Sequence, residues 1–273
     1  MNLRKEKIYI LEEYRNIDNI IDSIWAKTNK HIVCEQDIIE HLTKNGVLSY
    51  GNRKLSKKIA IFNLLAIVTC PICADCKDTC YAKKAQNGYP SAWDKRMMLT
   101  WLALTNLSLL ESLICADLDK IVMGKAHKDV KYVRIHESGD FWNQSYVDMW
   151  TRIIAKYPTL RFYFYTKTDS IFDFSKMFAL NNQKNDKRVN MVKSILPNGM
   201  INYGNIDYLN YQLRFFNFHV CPYGFTSANG EKIKTHCGEC TICLDHEYVL
   251  FLDHYANDVV VYLSQLKRNK KVA

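Results

Sequence analysis

Residues 130–168, VKYVRIHESGDFWNQSYVDMWTRIIAKYPTLRFYFYTKT, decide the fold. The β-branched and aromatic residues of VKYVRIHES (130–138) predict a strand, and so do those of LRFYFYTKT (160–168). Between them QSYVDMWTRIIAKYP (144–158) carries apolar residues at helical spacing. A strand, an amphipathic helix and a second strand in succession make a βα unit, whose strands pair in parallel.

Both strand ends turn polar. In βα sheets the residues that bind ligands gather where the strands run out at their carboxyl ends. His136, Glu137, Ser138, Gly139 and Asp140 stand at the first such end, and Tyr165, Thr166, Lys167 and Thr168 at the second. Gly139 would let a ligand approach the backbone closely. Glu137 or Asp140 would hold a ribose or an amine, with Ser138 beside them. His136 and Lys167 are the candidates for catalytic groups. The same residues also make a turn and a helix start, with Asp140 or Asn143 as the cap.

Working outward, SIFDFSKMFAL (170–180) reads as a helix, and RVNMVKSIL (188–196) and FFNFHVC (215–221) as further strands. Upstream, SAWDKRMMLTWLALTNLSLLESLICADL reads as one long helix, and the apolar run KKIAIFNLLAIVTC as a buried strand that ends at a cysteine. Residues 1–45 read as helical, with CEQDIIEHLTKNG as a second short helix ending at Gly46. The closing DHEYVLFLDHYANDVVVYLSQLKRNKK reads as one or two terminal helices. The expected fold is α/β: a partial or complete parallel βα barrel. A helical extension (1–48) precedes a cysteine-rich α/β domain (49–273).

Eight of the ten cysteines fall into two groups of four. The first is Cys70-x2-Cys73-x2-Cys76-x3-Cys80 and the second is Cys221-x15-Cys237-x2-Cys240-x2-Cys243. The x2 spacing lets neighbouring thiolates turn onto one centre. Structural zinc prefers two separated pairs, whereas three cysteines in tandem x2 steps followed by a fourth match the spacing of ferredoxin-type clusters. Iron–sulfur, one or two [4Fe–4S] clusters, is therefore the expected cofactor, with zinc as the alternative metal. One site drawing on both groups is compatible with the spacing. Cys34 and Cys115 stand alone and read as unaccompanied thiols.

The N-terminus is charged throughout, so no secretory signal is expected, and no run is long and apolar enough for a membrane span. A cytoplasmic protein follows, and in the reducing cytosol clustered cysteines hold metal more often than disulfides. Lys and Arg number 37 against 28 acidic residues, a net charge of +9. Much of the excess lies in GNRKLSKK (51–58) and in the tail LKRNKKVA, which are the expected contacts if the chain binds nucleic acid.

GNRKLSKKIAIFNLLAIVTCP, CYA, VRIHESGDFW, FYFYTKT and the distal CP…CGECTIC together resemble the phage and prophage gene product 88 domain family, from about Gly51 to Cys243. The resemblance implies a mobile-element origin and a cysteine-rich core. More distantly, cysteines ending in CYA ahead of a βα repeat, then SGD and TK strand ends, resemble radical S-adenosylmethionine enzymes. In those enzymes three thiolates bind a [4Fe–4S] cluster whose open iron takes the methionyl group of the cofactor. Their C-x3-C-x2-C triplet is missing here: Cys76-x3-Cys80 supplies the first step, but Lys83 stands where the third thiolate belongs. Two functions follow as expectations. One is a radical S-adenosylmethionine-like enzyme acting on a nucleotide, nucleic acid or peptide. The other is a metal-stapled module that contacts nucleic acid or a host protein without catalysis.

Overall fold

A computed structural model of the 273-residue chain describes residues 17–28, 32, 34–52, 55–71, 80–181, 188–193, 219–220 and 249–250. Two helices, α1 (Ile17–Thr28) and α2 (Glu35–Asn45), come first, followed by the short strand β1 (Ser49–Tyr50) and by β2 (Ile59–Phe62). Helices α3 (Tyr81–Gly88), α4 (Pro90–Thr105) and α5 (Leu107–Val122) lead to β3 (Tyr132–Ile135). Then α6 (Gln144–Lys156), β4 (Arg161–Thr166), the single turn α7 (Ser175–Phe178) and β5 (Val189–Lys193) complete the main sheet.

The sheet runs in the order β1-β2-β3-β4-β5. β1 is antiparallel to β2, and the other neighbours are parallel. Each crossover therefore moves one strand further in the same direction. Crossovers of this kind are right-handed, so all of their helices fall on one face. The packing agrees: Ala60, Phe62, Val133, Ile135, Phe162 and Phe164 share one core with Met97, Leu118, Tyr146 and Trp150 of the helices. Side chains of this size stabilise by about 1.5–3 kcal/mol each when fully buried, and Trp150, Tyr146 and Phe62 are among the largest of them.

Strand residues alternate between faces, so Ile59, Ile61, Tyr132, Tyr163 and Tyr165 lie on the other side. There Leu55, from the 51–58 loop, packs with Ile59, Ile61 and Tyr163 in a second, smaller cluster, while the Arg134 guanidinium lies 4.8 Å from the Tyr165 ring centre. Lys57 and Lys58 of that loop are exposed. Arg53, Lys54 and the basic tail lie outside the described residues.

Several elements differ from the sequence expectation. The long helix expected from Ser91 is two helices, because the Asn106 side chain accepts a hydrogen bond from Leu109 N (3.0 Å) and starts α5 as its cap. The apolar run before the cysteines is extended only over Ile59–Phe62, and Asn63 ends it. Val249–Leu250 is a strand, β7, paired in parallel with β6 (His219–Val220), where a terminal helix was expected. Between Ser170 and Leu180 only Ser175–Phe178 is helical. The described part of 1–48 is helical, as expected, and Ile20, Ile38 and Leu42 bury in the main core. Among the described residues no helix is long and apolar enough to cross a membrane.

Candidate functional site

The carboxyl ends of β2, β3 and β4 are joined by side chains. Asn63 leaves β2 and its Oδ1 accepts from Glu137 N (2.7 Å) and Ser138 N (2.9 Å). His136 N donates to Phe62 O (2.9 Å) and Leu64 N to Ser138 O (3.0 Å), so β2 and β3 stay zipped beyond the strands. Gly139 has φ +87°, and a Cβ there would stand 2.7 Å from Thr69 Oγ1 and 2.9 Å from Leu64 Cβ. Only glycine fits both the left-handed conformation and the close approach. The 136–140 loop is thus pressed against the 64–70 turn.

Asp140 ties β3 to β4. Its buried carboxylate accepts from Thr166 Oγ1 (2.7 Å), Lys167 N (3.1 Å) and Phe141 N (2.8 Å). Thr166 in turn accepts from Thr168 N (3.0 Å) and lies 2.8 Å from the Thr168 hydroxyl. Burial pushes Asp140 up to about 6, against the lowering effect of these hydrogen bonds and the Lys167 charge. Asn143 caps α6 by accepting from Tyr146 N (2.7 Å), which leaves Asp140 for this junction.

His136 has φ +63°, a conformation uncommon for a non-glycine residue. Its ring stacks on Tyr146 at 5.6 Å between centres and meets Phe141 edge-on. His136 Nε2 is 2.8 Å from the Tyr146 hydroxyl. Burial pushes His136 down to about 3, so the ring is neutral at pH 7. Among the described residues its Nδ1 and the Ser138 hydroxyl, both buried, have no hydrogen-bond partner. Glu137 is half-buried and its Oε1 accepts from Asn52 Nδ2 (2.7 Å). Lys167 is half-buried next to Thr166 and Thr168. All six candidates from the two strand ends therefore meet at one edge of the sheet.

The 64–70 turn leads from that edge to the first cysteine. Thr69 Oγ1 donates to Leu65 O (3.0 Å), and Cys70 N donates to Ile67 O (3.1 Å). Cys70 and Cys80 are half-buried, and Cys80 immediately precedes α3. Cys73, Cys76, Cys221, Cys237, Cys240 and Cys243 lie outside the described residues. Among the described residues no group of three His, Cys, Asp or Glu side chains is placed to hold a metal ion. The donor set among the described residues is two thiols at the ends of one run, beside a polar loop, and thiols are ligands that suit iron–sulfur clusters and zinc.

Asn63 and Thr69 escaped the sequence reading. The signal for Asn63 was a polar residue directly after the apolar IAIF, in the same relation to β2 as His136 to β3. Nothing local marked Thr69, whose role depends on Gly139, seventy positions away. No curated protein matches the chain, and neither does any solved structure. The sequence model of one family, gene product 88, matches residues 41–192. That span starts before β1 and ends within β5, so it takes in the first cysteine group and every strand-end residue above, and stops short of the second group. The chain belongs to the gene product 88 family.

Proposed function

We propose that this chain is an iron–sulfur protein of phage and other mobile elements, with its first cluster at the carboxyl edge of the parallel sheet and a pocket for a small polar ligand beside it. In this reading Cys70, Cys73, Cys76 and Cys80 hold the first cluster, and Cys221, Cys237, Cys240 and Cys243 a second. When bound, such a cluster supplies a one-electron donor or acceptor. The observation that carries the reading is the contact between Gly139 and Thr69, which puts the polar 136–140 loop one residue from Cys70. The sheet order, which never reverses along β2 to β5, supports a portion of a βα barrel as the wider fold.

S-adenosylmethionine is the ligand this reading names. Glu137, Ser138 and Lys167 would contact it, Gly139 would admit it, and Asp140 would hold the two strand ends that shape the pocket. Four thiolates on one cluster would leave no iron for the methionyl group, so ligand binding and cofactor cleavage are separate questions. A second reading, a zinc- or cluster-stapled nucleic-acid-binding module, draws support from the exposed Lys57 and Lys58. It predicts binding that weakens steeply with salt.

Protein purified without oxygen tests both. Iron, zinc and acid-labile sulfide per chain are measured, with absorption and EPR spectra before and after dithionite and then with S-adenosylmethionine. Iron and sulfide in equal amounts, with S-adenosylmethionine bound by the wild type and not by Glu137→Ala in equilibrium dialysis, is the expected result. A cofactor-perturbed spectrum would show that one of the four thiolates leaves an iron open. Zinc without sulfide would replace this reading by the second. Glu137→Ala is the cleaner probe, because Asp140 also holds the strand ends together.

A further inference from the structure

The first cysteine group is spanned by a clasp of buried polar side chains that the proposed chemistry leaves unused. α4 is apolar on nearly every side, yet it buries Arg96 (7% exposed) and Thr100 (0% exposed). Four residues apart, they lie on one side of the helix, one turn from each other. Thr100 Oγ1 accepts from Leu65 N (2.8 Å), just before Cys70. Arg96 Nη1 donates to Ala82 O (3.2 Å), just after Cys80. Gln86 of α3, itself buried, closes the figure: its Oε1 accepts from Ala66 N (3.1 Å) and so joins the helix after Cys80 to the turn before Cys70.

Between these ties the backbone is forced. Ile67 has φ +76°, and a β-branched residue in that region is a conformational outlier. Such strain persists only where the surroundings over-determine it, and here Leu65 and Ala66 are held on one side and Cys70 N is bonded back to Ile67 O on the other. We infer that Thr100, Arg96 and Gln86 are positioning residues that hold the backbone on either side of the Cys70–Cys80 run in place for metal binding. The inference rests on the metal reading above. Partners behind the ligands typically change metal affinity by roughly 10- to 100-fold when removed.

The test uses the anaerobically purified full chain and its Thr100→Val, Thr100→Ser and Gln86→Leu variants. Each is followed for the half-time of iron or zinc release to a chelator, and for its thermal midpoint with metal and after metal removal. The expected result is release roughly 10- to 100-fold faster in Thr100→Val and Gln86→Leu and wild-type release in Thr100→Ser. Midpoints of the first two should fall further with metal bound than after metal removal, where only the stranded main-chain donor is felt. Should Thr100→Val fail to fold, Gln86→Leu carries the same comparison from the other helix. Release at the wild-type rate in folded variants would overturn the positioning role and leave the metal reading standing. Midpoints that drop equally with and without metal would assign these residues to the fold alone. A wild-type chain without metal would overturn both.

Discussion

The two ends of the parallel strands are built from different materials. At the amino ends the joints between neighbouring strands are main chain to main chain: Lys131 N donates to Lys58 O (3.1 Å), Arg161 N to Lys131 O (3.0 Å) and Phe162 N to Arg188 O (2.7 Å). The Asn181 side chain is bonded there too, among the described residues, but it holds Val189 of β5 alone. The side chains of Lys58 and Lys131 are exposed there. At the carboxyl ends the main-chain bonds from His136 N to Phe62 O and from Leu64 N to Ser138 O are supplemented by buried or half-buried side chains, Asn63 between β2 and β3 and Asp140 between β3 and β4. A main-chain joint tolerates almost any residue. A side-chain joint specifies one residue, and it leaves a shaped, polar edge. Ligand chemistry in βα sheets belongs to that edge, and the difference in materials tells the two ends apart without a bound ligand.

The largest effects should come from breaking the carboxyl-end joints. Asn63→Ala strips two main-chain donors, Glu137 N and Ser138 N, of their acceptor. Each stranded donor costs about 1–3 kcal/mol, and because both are only part-buried the lower half of the summed range, about 2–4 kcal/mol, is expected in urea unfolding. Gly139→Ala should cost about as much, through a left-handed φ and a Cβ driven against Thr69 and Leu64. A loss below 1 kcal/mol for both would mean that this edge relaxes freely and is not a specified shape.

Much of this architecture was legible in the sequence, and its joints were not. The strand, helix and strand of 130–168 carry their own periods, and β3, α6 and β4 appear within a few residues of the expected bounds. The six strand-end candidates lie at the ends of neighbouring strands, because βα topology suffices to put them on one edge. Asn106 was hidden because the apolar helical pattern continues on both sides of it, and one side chain makes the break. Asn63 was hidden because its partners lie 74 and 75 residues away. The left-handed His136 was hidden because only its packing among Phe62, Phe141 and Tyr146 justifies that conformation. Local pattern sets the elements, and tertiary partners set the joints between them.

A second way to sharpen the comparison is pH. Asp140, raised from 3.8 to about 6, favours its proton in the fold, so its contribution to stability grows as pH falls from 6 towards 4. His136, lowered from 6.5 to about 3, must stay neutral in the fold, so its contribution shrinks as pH falls below 6.5. Each slope is about 1.4 kcal/mol per pH unit at most. Between pH 6 and 4 they oppose and largely cancel. Asp140→Asn should therefore make stability fall more steeply with acidification than in the wild type. His136→Phe should make it fall less steeply or rise. Urea unfolding of the three proteins at pH 4.5, 5.25 and 6 reads the slopes, and parallel lines would show that neither group is buried in the charge state argued here.

The smallest expected effects lie at the amino ends, and they matter because the comparison stands on them as much as on the large ones. Lys58→Ala and Lys131→Ala remove exposed side chains and leave Lys58 O, Lys131 N and Lys131 O in their bonds. Neither substitution strands a buried group or opens a cavity, so each should change stability by no more than about 0.5 kcal/mol. A loss near that of Asn63→Ala would mean that side chains, too, hold the amino ends. The contrast in materials would then no longer single out the carboxyl edge, and the case for a site there would fall back on the contact between Gly139 and the cysteine-bearing turn alone.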